Sequence, residues 1–254
     1  MNDLERYIYM IRFIINFIFV VGFLILSLPI QLVAWIIGKF NPKAKGDIAL
    51  AVVGWAFKVV GIIAGAKITV IGEENVPKDR PVLYISNHRS YYDIILTYYR
   101  VPRQTGYIAK DGMAKIPSFS TWMKFLHCQF LDRKDIKKGM QVIKNAIDLI
   151  NNGISVHVCP EGTRNKSDEV MLPFHDGTFK IAERTGCTII PITVTNTEAL
   201  YEKNKKWHIH SAHVIIEYGK PIETADMTKE ERKKLSAVTR EIILDTYMKN
   251  LELV

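Results

Sequence analysis

Hydrophobic positions follow two different patterns along the chain, and the change between them falls near residue 66. Residues 13–38 form a run of 26 positions without Lys, Arg, Asp or Glu. As one helix, at ~1.5 Å per residue, the run would extend about 39 Å, beyond the ~30 Å hydrocarbon core of a bilayer. Pro29 interrupts it and biases Leu28 away from helical geometry. Residues 13–28 alone would reach only about 24 Å, short of a full crossing. A polar turn at residues 41–46 is expected next, followed by a second apolar stretch, residues 48–66, whose one charge is Lys58. A mid-span lysine is costly in lipid, but it can snorkel from a helix lying in the interface. The first run is too long and too weakly basic at its start for a signal peptide, and no small-x-small cleavage site precedes Lys39. Residues 1–66 are therefore expected to be an apolar two-helix membrane-anchoring segment. Both a spanning hairpin and a monotopic anchor fit, and buried core helices of a soluble protein are the alternative.

From Lys67 the texture becomes short β-rich runs separated by helical stretches. Residues 67–71, 81–86, 154–158, 188–194 and 213–218 read as strands. Residues 136–151 carry Met140, Ile143, Ile147 and Ile150 at helical spacing, with Gly153 just beyond. The tail opens with Thr228-Lys-Glu-Glu231, a capping box, and continues with Leu235, Val238, Ile242 and Ile243. Alternating strands and helices predict an α/β domain with a mixed, largely parallel sheet flanked by helices. The expected division is 1–66 for the anchor, 67–220 for the α/β domain and 221–254 for a helical tail packing on it.

Charge narrows the classes of partner. The chain has 254 residues, 34 Lys+Arg and 26 Asp+Glu, a net charge of +8. A basic surface suits nucleic acid, an anionic membrane or a small polyanion. The excess divides as +3 on residues 1–66 and +5 on the rest, with no arginine-rich run, so nucleic acid is not expected. Arg6, Arg12, Lys39, Lys43 and Lys45 flank the apolar stretches and suit anionic headgroups. Cys128, Cys159 and Cys187 are odd in number and lack C-x-x-C spacing, which argues against a disulfide framework and fits a reducing, cytoplasmic setting.

Two segments carry candidate chemistry. Asn87-His-Arg-Ser-Tyr-Tyr-Asp93 follows the strand ending at Ser86. Within one helix, residues five apart would sit about 140° from each other and could not meet. Ser90-x-x-Asp93 reads as a capping box, which leaves His88 in the strand-to-helix turn and Asp93 in the first helical turn. The carboxylate can then hold one imidazole nitrogen and leave the other as a general base. Spacing alone also allows Asp93 to be only a cap and His88 only a loop residue. The second segment, Cys159-Pro-Glu-Gly-Thr-Arg164, again follows a strand. Its glycine permits close backbone approach, and its arginine offers a planar fork for phosphate. Ligands of open α/β sheets gather beyond strand C-termini, so the two segments are expected at one edge. His208-Ile-His210-Ser-Ala-His213 would, on a strand, place His208 and His210 on one face and His213 on the other. With no acidic neighbour, no metal is expected there.

Asn87-His88 with Asp93, followed about seventy residues later by Glu161-Gly-Thr-Arg164, resembles the glycerolipid acyltransferase family. Its best-known members are of the 1-acyl-sn-glycerol-3-phosphate acyltransferase type. Phe130-Leu-Asp-Arg133, Ile190-Pro-Ile192 and Lys110 in Tyr107-Ile-Ala-Lys110 resemble further family blocks, and the likeness covers residues 67–220. The resemblance implies acyl transfer from acyl-CoA or acyl-carrier protein to the hydroxyl of lysophosphatidic acid, with His88 as general base and Asp93 orienting it. It assigns Glu161, Gly162, Thr163 and Arg164 to the acceptor and adds Arg133 and Lys110 as phosphate contacts; Asn87 and Gly162 are further candidates for shaping the pocket or the oxyanion environment. No cofactor or metal is implied beyond the thioester co-substrate. Glycerol 3-phosphate, another lysophospholipid or a lyso-amino-acid lipid are alternative acceptors, and a non-catalytic membrane-anchored lipid-binding protein is the alternative class. The implied setting is a membrane, with the site on its cytoplasmic face. The chain departs from the family at His175-Asp176, where basic residues are common, and at Cys128 and Cys159.

Overall fold

The computed structural model describes residues 3–132 and 135–254. The break expected at Pro29 separates helix α1 (Asp3–Leu26) from α2 (Leu28–Phe40), with the proline in the first turn of α2, where its missing N–H costs nothing. Residues 41–46, expected as a turn, instead begin α3 (Pro42–Ala64). Asn41 caps it by accepting the N–H of Ala44 at 3.0 Å, and Pro42 occupies the first position.

Seven strands form one sheet: β1 (Ala66–Ile71), β2 (Leu83–Ser86), β3 (Thr105–Lys110), β4 (Gln129–Leu131), β5 (Ser155–Val158), β6 (Ile189–Thr195) and β7 (Ala212–Tyr218). Their order is β1-β7-β6-β2-β5-β3-β4. From β6 to β4 all neighbours are parallel. β7 runs antiparallel to β6, and β1 lies parallel to β7, so one end of the sheet is a reversed pair. The connecting helices are α4 (Tyr91–Tyr98), α5 (Pro117–Phe125), α6 (Ile136–Asn151), α7 (Lys180–Thr185) and α8 (Lys229–Leu251). β3 and β4 escaped the strand pattern. The first mixes Gly106 and Lys110 into its six residues, and the second has only three.

Both faces of the central strands are covered, which explains their unbroken apolar runs. Tyr84, Ile190, Ile192 and Val214 pack under Val60 and Ala64 of α3 and Leu96 of α4. Leu83, Ile85, Val156, Val158 and Ile189 face the opposite layer with Ala146 and Ile150 of α6, Ile181 of α7 and Leu235 and Ile243 of α8. Each buried Leu or Ile contributes roughly 1.5–3 kcal/mol. The buried stripe of α6 is Val142, Ala146 and Ile150. Met140, expected on that face, is exposed. α8 begins at the expected capping box, with Thr228 and Glu231 exchanging hydrogen bonds.

α1 and α3 are both long and apolar enough to cross a bilayer by length and composition, yet 6% of the apolar window of α1 is buried against 39% of that of α3. α3 is a packing helix, with small residues at Ala49, Val53, Ala56, Val60 and Ala64 buried and Gly61 letting it approach α4. A Cβ at Gly61 would lie 2.8 Å from Leu96. Lys58 sits on its exposed side. α1 touches the α/β domain along its length. The Tyr9 ring stacks on His210 with centroids 3.7 Å apart, Phe13 packs against Tyr201 and Trp207, and Phe23 stacks on Trp122 of α5. The α1–α2 junction is pinned as well: Trp122 Nε1 donates to Ser27 Oγ at 3.0 Å, and Gln31 Nε2 donates to the Ser118 carbonyl at 2.9 Å. The other side of α1 and α2 remains apolar and uncovered, including Ile18, Ile25 and Leu26.

Candidate active site

β2 and β5 are parallel neighbours, so the segments that leave their C-termini emerge at the same edge. Residues 87–89 form the turn after β2, and Ser90 caps α4 by accepting the N–H of Tyr92 at 3.0 Å. Asp93 in the first turn points back into the turn. Its Oδ2 accepts from His88 Nδ1 at 2.9 Å, from the Arg89 N–H at 2.7 Å and from the Ser90 N–H at 2.8 Å. Its Oδ1 accepts a short hydrogen bond from Thr197 Oγ1. A carboxylate only accepts, so Nδ1 donates this hydrogen bond, and in the neutral imidazole Nε2 keeps its lone pair. Asp93 is 1% exposed and His88 19%, and Nε2 makes no hydrogen bond among the described residues. The carboxylate is thus held by four donors, and the imidazole held by it has its second ring nitrogen open to a ligand.

The second segment is tied to the first at two points. The Asn165 N–H donates to the His88 carbonyl at 2.7 Å. Glu161 accepts the His88 N–H on Oε1 at 2.7 Å and the Leu172 N–H on Oε2 at 2.9 Å. Glu161 is 3% exposed, and burial holds its carboxyl above the ordinary range despite the two N–H donors. Both oxygens are engaged by the backbone, so Glu161, expected to contact the acceptor, instead holds the turn that presents His88. Asn87 has a similar character. Its side chain donates to the Val194 carbonyl at 2.8 Å and accepts the Val194 N–H at 2.9 Å, fastening the turn to β6. Gly162 has φ +68°, and a Cβ there would lie 3.0 Å from the His175 ring. The position that departs from the family thus packs against this glycine.

Arg164 stands beside this turn. Its guanidinium lies 3.6 Å from the Tyr91 ring centroid, and Nη1 donates to Glu202 Oε1 at 3.0 Å. Arg89 reaches Glu198 at 3.2 Å and donates to the carbonyls of Glu169 and Val170 at 2.9 Å, closing the loop after Arg164 onto the histidine turn. A cleft of about 550 Å³ opens here, lined by Arg89, Tyr91, Arg164, Lys166, Lys203 and Lys206 among others. Thr163, next to Arg164 in the chain, is exposed and makes no hydrogen bond among the described residues. Lys110 ends β3, exposed, and makes no hydrogen bond or ion pair with His88, Asp93 or Arg164. Arg133 lies outside the described residues.

Beneath the dyad lies a histidine that no motif marked. His157 in β5 is 1% exposed, with Nε2 2.7 Å from Ser86 Oγ and its ring stacked on Tyr107. Burial, with the nearby His88 adding to it, lowers its pKa to about 3, so it is neutral in the folded protein. Ser86 Oγ also approaches Cys159 Sγ at 3.3 Å. Cys128 and Cys187 are buried, and burial pushes the Cys128 thiol up to about 12. The histidines at 208–213 separate for a reason other than strand alternation: β7 begins only at Ala212. His208 lies against the Lys206 carbonyl, His210 stacks on Tyr9, and His213 meets Thr69 Oγ1.

A family model described as Acyltransferase matches residues 67–195. The 1-acyl-sn-glycerol-3-phosphate acyltransferase of Saccharomyces cerevisiae is 29% identical over 192 residues, 75% of this chain and 63% of that protein. That of Haemophilus influenzae is 30% identical over 176 residues, 67% of this chain and 72% of that protein. The chain therefore spans under two thirds of the yeast relative and rather more of the bacterial one. The crystal structure of the 1-acyl-sn-glycerophosphate acyltransferase PlsC from Thermotoga maritima superposes with a TM-score of 0.80, covering 98% of both chains at 22% identity, a likeness of fold.

Proposed function

The chain belongs to the acyltransferase family, whose model covers residues 67–195, and on that premise we propose that it acylates the free hydroxyl of 1-acyl-sn-glycerol 3-phosphate to give phosphatidic acid. The observation that carries the reading is the 2.9 Å contact of His88 Nδ1 with Asp93 Oδ2, which leaves Nε2 as the base. The acceptor hydroxyl gives its proton to Nε2 as its oxygen attacks the thioester carbonyl. The new C–O bond forms, the C–S bond breaks, and the proton passes on to the departing thiolate. General base assistance of this kind contributes about 10²- to 10⁴-fold. Acyl-CoA and acyl-carrier protein both supply such a thioester. Both are water-soluble donors of the cytoplasm, so the site faces that side.

Arg164, with Lys166 and Lys206 lining the same cleft, is the holder of the acceptor's phosphate. The lipid end of the acceptor is reached through the anchor. α1 rests on the α/β domain at Tyr9, Phe13 and Phe23, so it cannot stand across a bilayer without drawing that domain in. The geometry supports a monotopic seat, with α1 and α2 lying in the interface and their uncovered sides in the acyl region. A lipid-binding protein without catalysis has no use for a histidine whose tautomer is fixed by a four-donor carboxylate.

The test is thiol release by purified protein in vesicles. Acyl-CoA or acyl-carrier protein should yield thiol only when a lyso-acceptor is present, and His88→Ala should abolish it. A panel of lysophosphatidic acid, glycerol 3-phosphate and other lysolipids ranks the acceptors. Full turnover by the His88→Ala variant would refute the mechanism.

A further inference from the structure

We propose that Glu202 is a specificity-determining positioning residue: it locks Arg164 to the first turn of α4, and so sets where an acceptor's phosphate sits relative to His88. The inference rests on the reading of Arg164 as the phosphate holder. Glu202 lies 38 residues beyond Arg164, in the loop between β6 and β7, and belongs to no motif of the sequence.

Its carboxylate has three protein donors. Oε1 accepts from Arg164 Nη1 at 3.0 Å and from the Tyr91 N–H at 2.9 Å, and Oε2 accepts from Ser90 Oγ at 2.6 Å. A carboxylate that only neutralised Arg164 would need none of the last two. Tyr91 and Ser90 are the first residue and the cap of α4, the same turn that carries Asp93. Tyr91 also supplies the ring on which the guanidinium lies, 3.6 Å from the centroid. Arg164 is therefore fixed from the side by Glu202 and from one face by Tyr91, both referenced to one helix end. It keeps its other N–H donors for a ligand, because a guanidinium has five and Glu202 takes a single one.

His88 is referenced to the same frame. Its imidazole is bound to Asp93, and its carbonyl receives the N–H of Asn165, the residue after Arg164. The base and the phosphate fork are thus fixed to a common turn through short hydrogen bonds, and the span between them is a property of the protein. A hydroxyl separated from a phosphate by the length of a glycerol fragment is selected when that span matches. An acceptor without phosphate gains nothing from it. Lys166 and Lys206 line the same cleft without a carboxylate partner among the described residues, and leave a net positive site even with Glu202 in place.

The experiment compares lysophosphatidic acid with the matching monoacylglycerol, which carries a free hydroxyl and no phosphate, in the thiol-release assay with full-length protein. Glu202→Gln, nearly isosteric, should raise the KM for lysophosphatidic acid about tenfold or more, since a charge-assisted contact is lost, and leave its kcat within about twofold. The loss should be larger for lysophosphatidic acid than for monoacylglycerol, Glu202→Asp should recover part of the KM, and melting temperatures identify any variant that fails to fold. Glu202→Gln combined with Arg164→Ala should be no worse than Arg164→Ala alone. An unchanged or lowered KM in Glu202→Gln, or additive losses in the double variant, overturns the role of Glu202. Arg164→Ala without effect on the acceptor KM overturns the phosphate assignment as well, which separates the two failures.

Discussion

Glu161 and His88 are joined by a 2.7 Å hydrogen bond from the histidine N–H to the glutamate Oε1, inside a site where the carboxyl is 3% exposed. The second oxygen takes the N–H of Leu172, so one side chain ties the loop after β5 to the histidine turn and to residue 172. Glu161→Gln replaces one of the two acceptors by an NH₂ group that faces an N–H donor. We expect a stability loss of about 1–3 kcal/mol. We also expect a lower kcat with a smaller change in acceptor KM, because the proposed base, His88, is displaced and Arg164 is not. Thermal melts and thiol-release kinetics on the same preparation check both parts.

His157 gives the protein a dependence on acid. Its folded pKa is lowered to about 3 by burial and by His88, whereas an unfolded histidine titrates near ~6.5. Between these values the unfolded chain binds the extra proton, so stability is fully present above about pH 6.5 and is lost as pH falls towards 3. In His157→Gln, which does not titrate, urea-unfolding midpoints should decline less steeply across this window. Equal slopes in the two proteins would remove His157 as the source.

The uncovered sides of α1 and α2 predict how the chain holds to lipid. Ile18 and Ile25 are 63% and 60% exposed, pointing away from the α/β domain. Replacing both with Asp should reduce co-flotation with vesicles about tenfold or more, since each buried Ile contributes roughly 1.5–3 kcal/mol, and leave the melting temperature unchanged. Phe13→Ala removes packing on Tyr201 and Trp207 and should lower the melt. A flotation unchanged by the two aspartates would count against the interfacial seat.

Much of the site was legible because it is local. Ser90-x-x-Asp93 states both where α4 starts and why Asp93 turns back to His88, and Thr228 with Glu231 announces α8 in the same way. The partners that came from elsewhere in the chain left no mark. Thr197 and Glu202 reach the turn from loops more than a hundred residues away, and nothing in their surroundings identifies them. Glu161 was found by its motif, but its inward orientation depends on Leu172, a residue outside it. α3 did carry a readable signal: Ala49, Val53, Ala56, Val60 and Ala64 make a stripe of small side chains, the mark of a helix pressed against protein rather than lipid. On α6 the expected Ile143, Ile147 and Ile150 do lie against the core, whereas Met140, one turn in from the start of the helix, is exposed, and Val142 and Ala146 complete the buried stripe.

Phe13 sits on Tyr201, the residue next to Glu202, and Tyr9 takes the N–H of Ile209 on its carbonyl and stacks on His210. The helix that would lie in the leaflet is therefore also a brace for the loop that reaches the arginine. Whatever surrounds α1 becomes a kinetic variable: a detergent that wets Phe13 away from Tyr201 loosens the loop at its root. Affinities for the same acceptor measured in micelles, in neutral vesicles and in anionic ones then describe three differently braced enzymes.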